Sequence, residues 1–199
     1  MPRSTLAALL ATIFVLAAPV AVQADPYQHA TQPTATGTGG AAASVDSVAT
    51  TAATNVLRAG GNAVDAAVAA AAVLGVTEPF SCGIGGGGFM MIRTPGGKVT
   101  TIDSREKAPA DMRPDSFIDP ATDAALSFNE ARYSGLSGGV PGTVAGWSHA
   151  LREFGTYSLG DALQQGIDVA LEGYKIDQTF YDQAQSTAPW FDDITSSSR

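Results

Sequence analysis

The chain has 199 residues and is acidic, with a formal net charge of −8. A surface of this sign repels a phosphate backbone, which argues against a nucleic-acid partner. The single cysteine excludes a disulfide within the chain. The two histidines lie too far from it and from each other to indicate a metal site. These features leave a domain that is held together by packing alone, with enough length for a sizeable core.

The first 24 residues have the layout of a secretory signal peptide. Arg3 and the amino terminus supply a positive region, residues 6–18 form an apolar run, and Ala24 is a small residue of the kind that a signal peptidase reads. The apolar run is too short for a spanning helix, which needs roughly 20 residues. We therefore expect cleavage after Ala24, export to the periplasm or the medium, and no membrane span in the mature chain.

Residues 25–40 are rich in Thr, Gln, Pro and Gly and lack apolar periodicity, which predicts a disordered lead-in. Order is expected from Ala41 onwards. Helical spacing predicts a first helix over 44–59, and Asn62 is a predicted N-cap for a second, with Asp65 at its positive end. Residues 66–73 are only Ala and Val, which indicates a buried helix that packs closely against another element.

A glycine-rich loop at 81–88 precedes two short apolar runs, 89–92 and 99–102, separated by a Pro-Gly-Gly turn. This pattern predicts a β-hairpin. We expect Cys82 and the start of the first strand to be buried, and the consecutive glycines to approach another backbone closely. Two strands cannot support a core of this size, so further strands are expected outside this chain.

The rest of the chain reads as mainly helical. Residues 111–129 are expected to be irregular, and helices are predicted over 141–154, 158–171 and 178–185. Two helices, a hairpin and further helices together predict a layered α/β (α+β) arrangement with an antiparallel component.

Two glycine-containing motifs lack the flanking elements that their usual functions require. Residues 83–88 match the dinucleotide pattern G-x-G-x-x-G, but a helix precedes them and a strand follows, so no cofactor is expected. Residues 135–139 match the nucleophile-elbow pattern G-x-S-x-G. No acidic residue lies between Ser137 and His149, and no buried strand leads into the motif. A serine hydrolase with an internal triad is therefore not supported.

The segment 103–109, Asp-Ser-Arg-Glu-Lys-Ala-Pro, places Arg105 at the end of the second predicted strand. A guanidinium at a strand end, just past the glycine loop, can bind a carboxylate bidentately and so fix its orientation. The alternative is a solvated cluster of mixed charge on the surface. The residues alone leave both interpretations open.

Four segments in order, 60–69, 83–90, 103–109 and 141–146, resemble the large-subunit half of gamma-glutamyltransferases, which are also called glutathione hydrolases. The resemblance covers roughly residues 41–185. It implies the four-layer αββα sandwich of N-terminal-nucleophile hydrolases, incomplete in this chain. Residues 41–199 would then be a truncated, partial large-subunit domain.

The resemblance also implies a reaction. The family's precursor cuts itself, and the new N-terminal threonine of the small subunit attacks the γ-glutamyl amide of glutathione or a related donor, with its own amine as base. Water, an amino acid or a peptide then accepts the glutamyl group. The arginine of the R-E-x-A-P motif holds the donor's α-carboxylate, and the matching residue is Arg105.

That threonine would lie beyond Arg199, so we expect no catalytic residue in this chain and no activity without the small subunit. Two alternatives stay open. One is a related N-terminal-nucleophile acylase or capsule-polymer transferase, and the other is a non-catalytic secreted binding domain.

Overall fold

The structure is a computed structural model that describes residues 36–191. The predicted signal peptide (1–24), the predicted lead-in (25–40) up to residue 35, and residues 192–199 lie outside this range. Within the described range no helix combines the length and the apolar character that crossing a membrane requires. The helices are α1 (Ser47–Arg58), α2 (Ala63–Thr77), α3 (Pro79–Cys82), α4 (Phe128–Arg132), a 3-10 turn (Gly135–Ser137), α5 (Thr143–Phe154), α6 (Leu159–Glu172) and α7 (Gln178–Phe191).

Helix α2 forms the centre of the helical layer, between α1 and α6. Its alanine and valine side chains are mostly buried, which confirms the close packing expected for this segment. Small side chains allow neighbouring backbones to approach. A Cβ atom added to Gly166 of α6 would lie 3.0 Å from the backbone oxygen of Ala72 in α2. The first two predicted helices and the Asn62 cap are confirmed.

The predicted hairpin is present as antiparallel strands β1 (Phe89–Arg93) and β2 (Val99–Asp103). Ile92 and Ile102 are buried against α2 and α5. The expectation that the start of β1 is buried is wrong, because successive strand residues face opposite sides and only one side meets the helices. Phe89 is 66% exposed and Met91 is 76% exposed.

Three further elements differ from the expectations. Helix α3 begins at Pro79, because proline is well tolerated in the first turn of a helix. The stretch 111–129 holds a short hairpin, β3 (Ile118–Asp119) with β4 (Ala124–Ala125), and the start of α4. Helix α7 continues past residue 185 to Phe191, where Trp190 stacks on Tyr133 with ring centroids 4.5 Å apart.

The buried carboxylate of Asp65 joins the start of α2 to the link between α5 and α6. Its oxygens accept hydrogen bonds from the backbone N–H of Asn62 at 2.7 Å, of Thr156 at 2.8 Å and of Tyr157 at 3.0 Å. The Thr156 hydroxyl donates a fourth at 2.7 Å. Burial by itself raises the pKa of Asp65, but these hydrogen bonds outweigh it and hold the pKa below its ordinary value of 3.8.

We expect Asp65→Asn to lower the free energy of unfolding of the 199-residue chain by about 2–3 kcal/mol at pH 7. The reason is that an amide NH₂ group would face N–H donors that now bind a carboxylate. Asp161 is a matched control, because it occupies the same capping position in α6 but is exposed. Asp161→Asn should cost about 1 kcal/mol or less. Urea unfolding followed by circular dichroism measures both, and equal costs would contradict the assignment.

The contribution of Asp65 should also depend on pH. Its folded-state pKa lies below the unfolded-state value, so the stabilisation is complete above the unfolded-state pKa and is lost as the pH falls through the folded-state pKa. The difference in stability between the wild-type chain and Asp65→Asn should therefore shrink as the pH falls below about 4.

Candidate functional site

A cavity of about 790 Å³ lies where α3, the glycine loop at 83–88, the end of β2 and the start of α5 meet. We call it the cleft. The sequence prediction placed Arg105 just past the glycine loop in the chain, and the structure brings both to the wall of this cleft. Thr143 and Trp147 of α5 also line it, although the residues alone gave no signal for their contribution.

Hydrogen bonds hold the glycine loop between β2 and α5. Gly88 and Ser104 exchange backbone hydrogen bonds of 3.3 and 2.9 Å, which extends the hairpin by one residue pair. The carbonyl of Gly86 accepts from the backbone N–H groups of Gly142 and Thr143 at 3.0 and 3.1 Å. The loop therefore caps the start of α5 with a carbonyl group, in place of a side-chain cap.

The loop also lies against the backbone that follows β2. A Cβ atom added to Gly87 would lie 2.5 Å from the Ser104 carbonyl oxygen and 2.8 Å from the Glu106 nitrogen. No real side chain fits at that distance. The expected close approach of the glycines to another backbone is therefore confirmed at Gly87, and the backbone concerned is the one that carries Arg105.

Arg105 lies two residues beyond Asp103, the last residue of β2. Its backbone N–H donates to a carboxylate oxygen of Asp103 at 2.9 Å, and its side chain is 68% exposed. The Nε atom lies 3.1 Å from Oε2 of Glu106, although this contact lacks the angle of a hydrogen bond. Within residues 36–191 the guanidinium makes no hydrogen bond, so its donors remain available to an anion in the cleft.

Glu106 follows Arg105 in the 103–109 segment but was not among the predicted site residues. Its Oε2 atom is buried and has no hydrogen-bond donor among the described residues. Its adjacency to Arg105 was the available signal, since neighbouring residues beyond a strand end can turn toward the same space. The cleft thus contains one cationic and one anionic side chain in contact.

The cysteine and the candidate hydrolase residues do not form a catalytic group. Cys82 lines the cleft but is only half-buried, which corrects the expected burial. Burial and the nearby Glu78 carboxylate raise the pKa of its thiol, so the thiol is a weak nucleophile.

The Ser137 hydroxyl donates to the Arg132 carbonyl at 2.7 Å, whereas exposed His149 contacts Arg152. In the part of the chain that the structure covers, no group of His, Cys, Asp and Glu side chains is arranged to hold a metal.

Solved structures show the class of fold. The crystal structure of Helicobacter pylori gamma-glutamyltranspeptidase matches with a TM-score of 0.78 and 34% identity, over 83% of this chain and 47% of that chain. The predicted fold class is confirmed: a layered αββα fold of the N-terminal-nucleophile hydrolase type, of which this chain forms an incomplete part.

Sequence comparison then identifies the family. The family model described as Gamma-glutamyltranspeptidase matches residues 49–198. The glutathione hydrolase proenzyme of Escherichia coli K12 is 42% identical over 151 residues, which is 74% of this chain and 25% of that protein. The proenzyme of the same name from Bacillus subtilis 168 is 48% identical over 124 residues, 62% of this chain and 21% of that protein. The chain belongs to the gamma-glutamyltranspeptidase family of enzymes and spans about a quarter of these relatives' length.

We expect Gly87→Ala to lower the free energy of unfolding of the 199-residue chain by about 1–3 kcal/mol, because the added methyl group has to displace backbone atoms. Gly85→Ala is the matched control in the same loop, since a Cβ atom there meets nothing within 4 Å. That control should change stability by about 0.5 kcal/mol or less. Chemical denaturation measures both, and equal effects of the two variants would contradict the close approach.

Proposed function

We propose that the complete protein carrying this chain transfers the γ-glutamyl group of glutathione and related γ-glutamyl amides to water, amino acids or peptides. The observation that carries the proposal is the Arg105 guanidinium, which lines the cleft and leaves its hydrogen-bond donors available. A γ-glutamyl donor presents an α-carboxylate at the end opposite its scissile amide. A bidentate contact with the guanidinium would hold that end in one orientation. The scissile amide would then lie at the far end of the donor, away from Arg105.

This chain would supply donor binding, and the bond-breaking group would come from a small subunit cut from the same precursor. The relatives' name, proenzyme, supports such processing. By family resemblance the N-terminal threonine of that subunit attacks the γ-carbonyl carbon, and its α-amine takes the hydroxyl proton. The same amine passes this proton to the nitrogen of the donor amide, which leaves as a free amine when the C–N bond breaks. Water or an acceptor amine then attacks the acyl-enzyme, and the threonine hydroxyl is released. No residue of this chain is assigned to these covalent steps.

The proposal includes the cellular location. An exported protein, in the periplasm or the medium, is supported by the signal-like composition of residues 1–24. In that location the protein would act on γ-glutamyl donors outside the cytoplasm.

An acylase or a capsule-polymer transferase of the same fold is the second candidate within this class. The Escherichia coli and Bacillus subtilis relatives both have the name glutathione hydrolase, and no described contact favours another donor. We therefore retain γ-glutamyl transfer as the proposed activity.

The proposal is tested in a chimaera in which this chain replaces the matched segment of the Escherichia coli proenzyme. Arg105→Ala should lower kcat/KM for a γ-glutamyl anilide by roughly 10- to 150-fold, because a charge-assisted contact contributes about 1.5–3 kcal/mol. Most of the change should appear in KM if the contact is equally strong in the ground and transition states.

Arg113→Ala is the control for removing one exposed arginine, because Arg113 pairs with Asp115 and does not line the cleft. It should leave kcat/KM within twofold. An unchanged kcat/KM in Arg105→Ala would remove this residue from the donor site. A chimaera that matures but hydrolyses no γ-glutamyl anilide, while hydrolysing another amide, would favour the acylase alternative.

A further inference from the structure

The backbone sets the position at which the Arg105 side chain begins. The side chain is 68% exposed, and among residues 36–191 its one ion pair is with the adjacent Glu106. With so few contacts along the side chain, the position and direction of its Cα–Cβ bond set which part of the cleft the guanidinium can reach. The position of the donor's carboxylate therefore depends on what holds the backbone of residues 104–107.

The start of α5 holds this backbone from one side. A Cβ atom added to Gly142 would overlap the Ser104 carbonyl group and lie 3.4 Å from the Arg105 carbonyl oxygen. One turn further along, a Cβ atom added to Gly146 would lie 2.5 Å from Cβ and 2.6 Å from Oγ of Ser104. Residues four apart lie on the same face of a helix, so both glycines meet the same residue.

Other contacts leave Ser104 no room to move away. Gly87 of the glycine loop lies against its carbonyl group, and Gly88 pairs with it through two backbone hydrogen bonds and one from its hydroxyl. Beyond Arg105, Lys107 and Val140 form a bridge with hydrogen bonds of 3.4 and 2.8 Å. A side chain inserted from α5 has to shift Ser104 and, with it, the adjoining Arg105.

Backbone conformation does not explain glycine at either α5 position. Gly142 has φ of −115°, and Gly146 lies within the helix, so both conformations are open to alanine. A helix interior ordinarily favours alanine over glycine. The explanation that remains is space: a larger residue would collide with Ser104.

We infer that Gly142 and Gly146 are positioning residues for Arg105, because their lack of side chains lets α5 pack against Ser104 and so sets the position from which the Arg105 side chain reaches into the cleft. The inference rests on the proposed function, in which Arg105 binds the donor's α-carboxylate. It adds that donor binding requires residues without side chains at positions 142 and 146. These residues would affect donor binding through Arg105, without contacting the donor themselves.

The chimaera with Gly146→Ala tests the inference. KM for the γ-glutamyl anilide should rise about tenfold or more, with a smaller change in kcat, because the displaced guanidinium binds the carboxylate poorly. Ser104→Gly removes both atoms that the new methyl group would meet. The double variant Ser104→Gly/Gly146→Ala should therefore have a KM close to that of Ser104→Gly alone. Gly160→Ala in α6 is the matched control, since its Cβ atom would meet only the Ser158 hydroxyl at 3.7 Å.

A second comparison separates positioning from general destabilisation. In an Arg105→Ala background, Gly146→Ala should raise KM by less than twofold, because the group through which it acts is absent. An equal rise of KM with and without Arg105 would overturn the inference, and so would a double variant that recovers nothing. If Gly146→Ala fails to mature, recovery of both maturation and KM in the double variant supports the inference, and failure of that recovery overturns it.

The two proposals fail in different ways. If Arg105→Ala lowers kcat/KM while Gly146→Ala leaves KM unchanged, the positioning role is wrong and the donor site stands. If Arg105→Ala has no effect, the donor site itself is wrong. Urea unfolding of the 199-residue chain gives an independent readout: Gly146→Ala should lower the denaturation midpoint relative to Gly160→Ala, and Ser104→Gly should reduce that difference.

Discussion

The site depends on one physical constraint, the close contact of three backbones around Ser104. The glycine loop, the end of β2 and the start of α5 meet there at distances that exclude side chains at Gly87 and Gly142. Backbone hydrogen bonds between Gly88 and Ser104 and from α5 to Gly86 then fix the three segments together. Such contact restricts movement at the end of β2, so the Cα–Cβ bond of the mostly exposed Arg105 has a defined position beside the cleft.

The buried carboxylate of Asp65 holds the other end of the same helix. It accepts hydrogen bonds from Thr156 and Tyr157, just after α5, while Asn62 donates to the carbonyl of Phe154 at 2.8 Å. Helix α5 is therefore fixed to α2 at its C-terminal end and to β2 at its N-terminal end. Helix α5 therefore joins the core to the wall of the cleft, so a change at its C-terminal end can be transmitted to the cleft.

The local features of the chain were predictable because their signals lie within a few residues. Asn62 with Asp65, and Ser158 with Asp161, form capping boxes that start α2 and α6. The Pro-Gly-Gly turn between two short apolar runs predicted the hairpin, and the order of four motifs indicated the family that the comparisons then confirmed. The proposed donor-binding role of Arg105 has a different basis. The resemblance of the 103–109 segment to the family suggested this role, and the position of Arg105 at the wall of the cleft supports it.

The amino-acid sequence by itself determined closely where α1, α5 and α6 begin and end, that a hairpin forms, and to which family the chain belongs, because caps, turns and motifs act over short stretches. Only the tertiary structure decided which face of β1 is buried, how far α7 extends, that Cys82 borders the cleft, and that Gly146 meets Ser104. Those outcomes depend on contacts between segments that are distant in the chain, and no local pattern specifies which segments will meet.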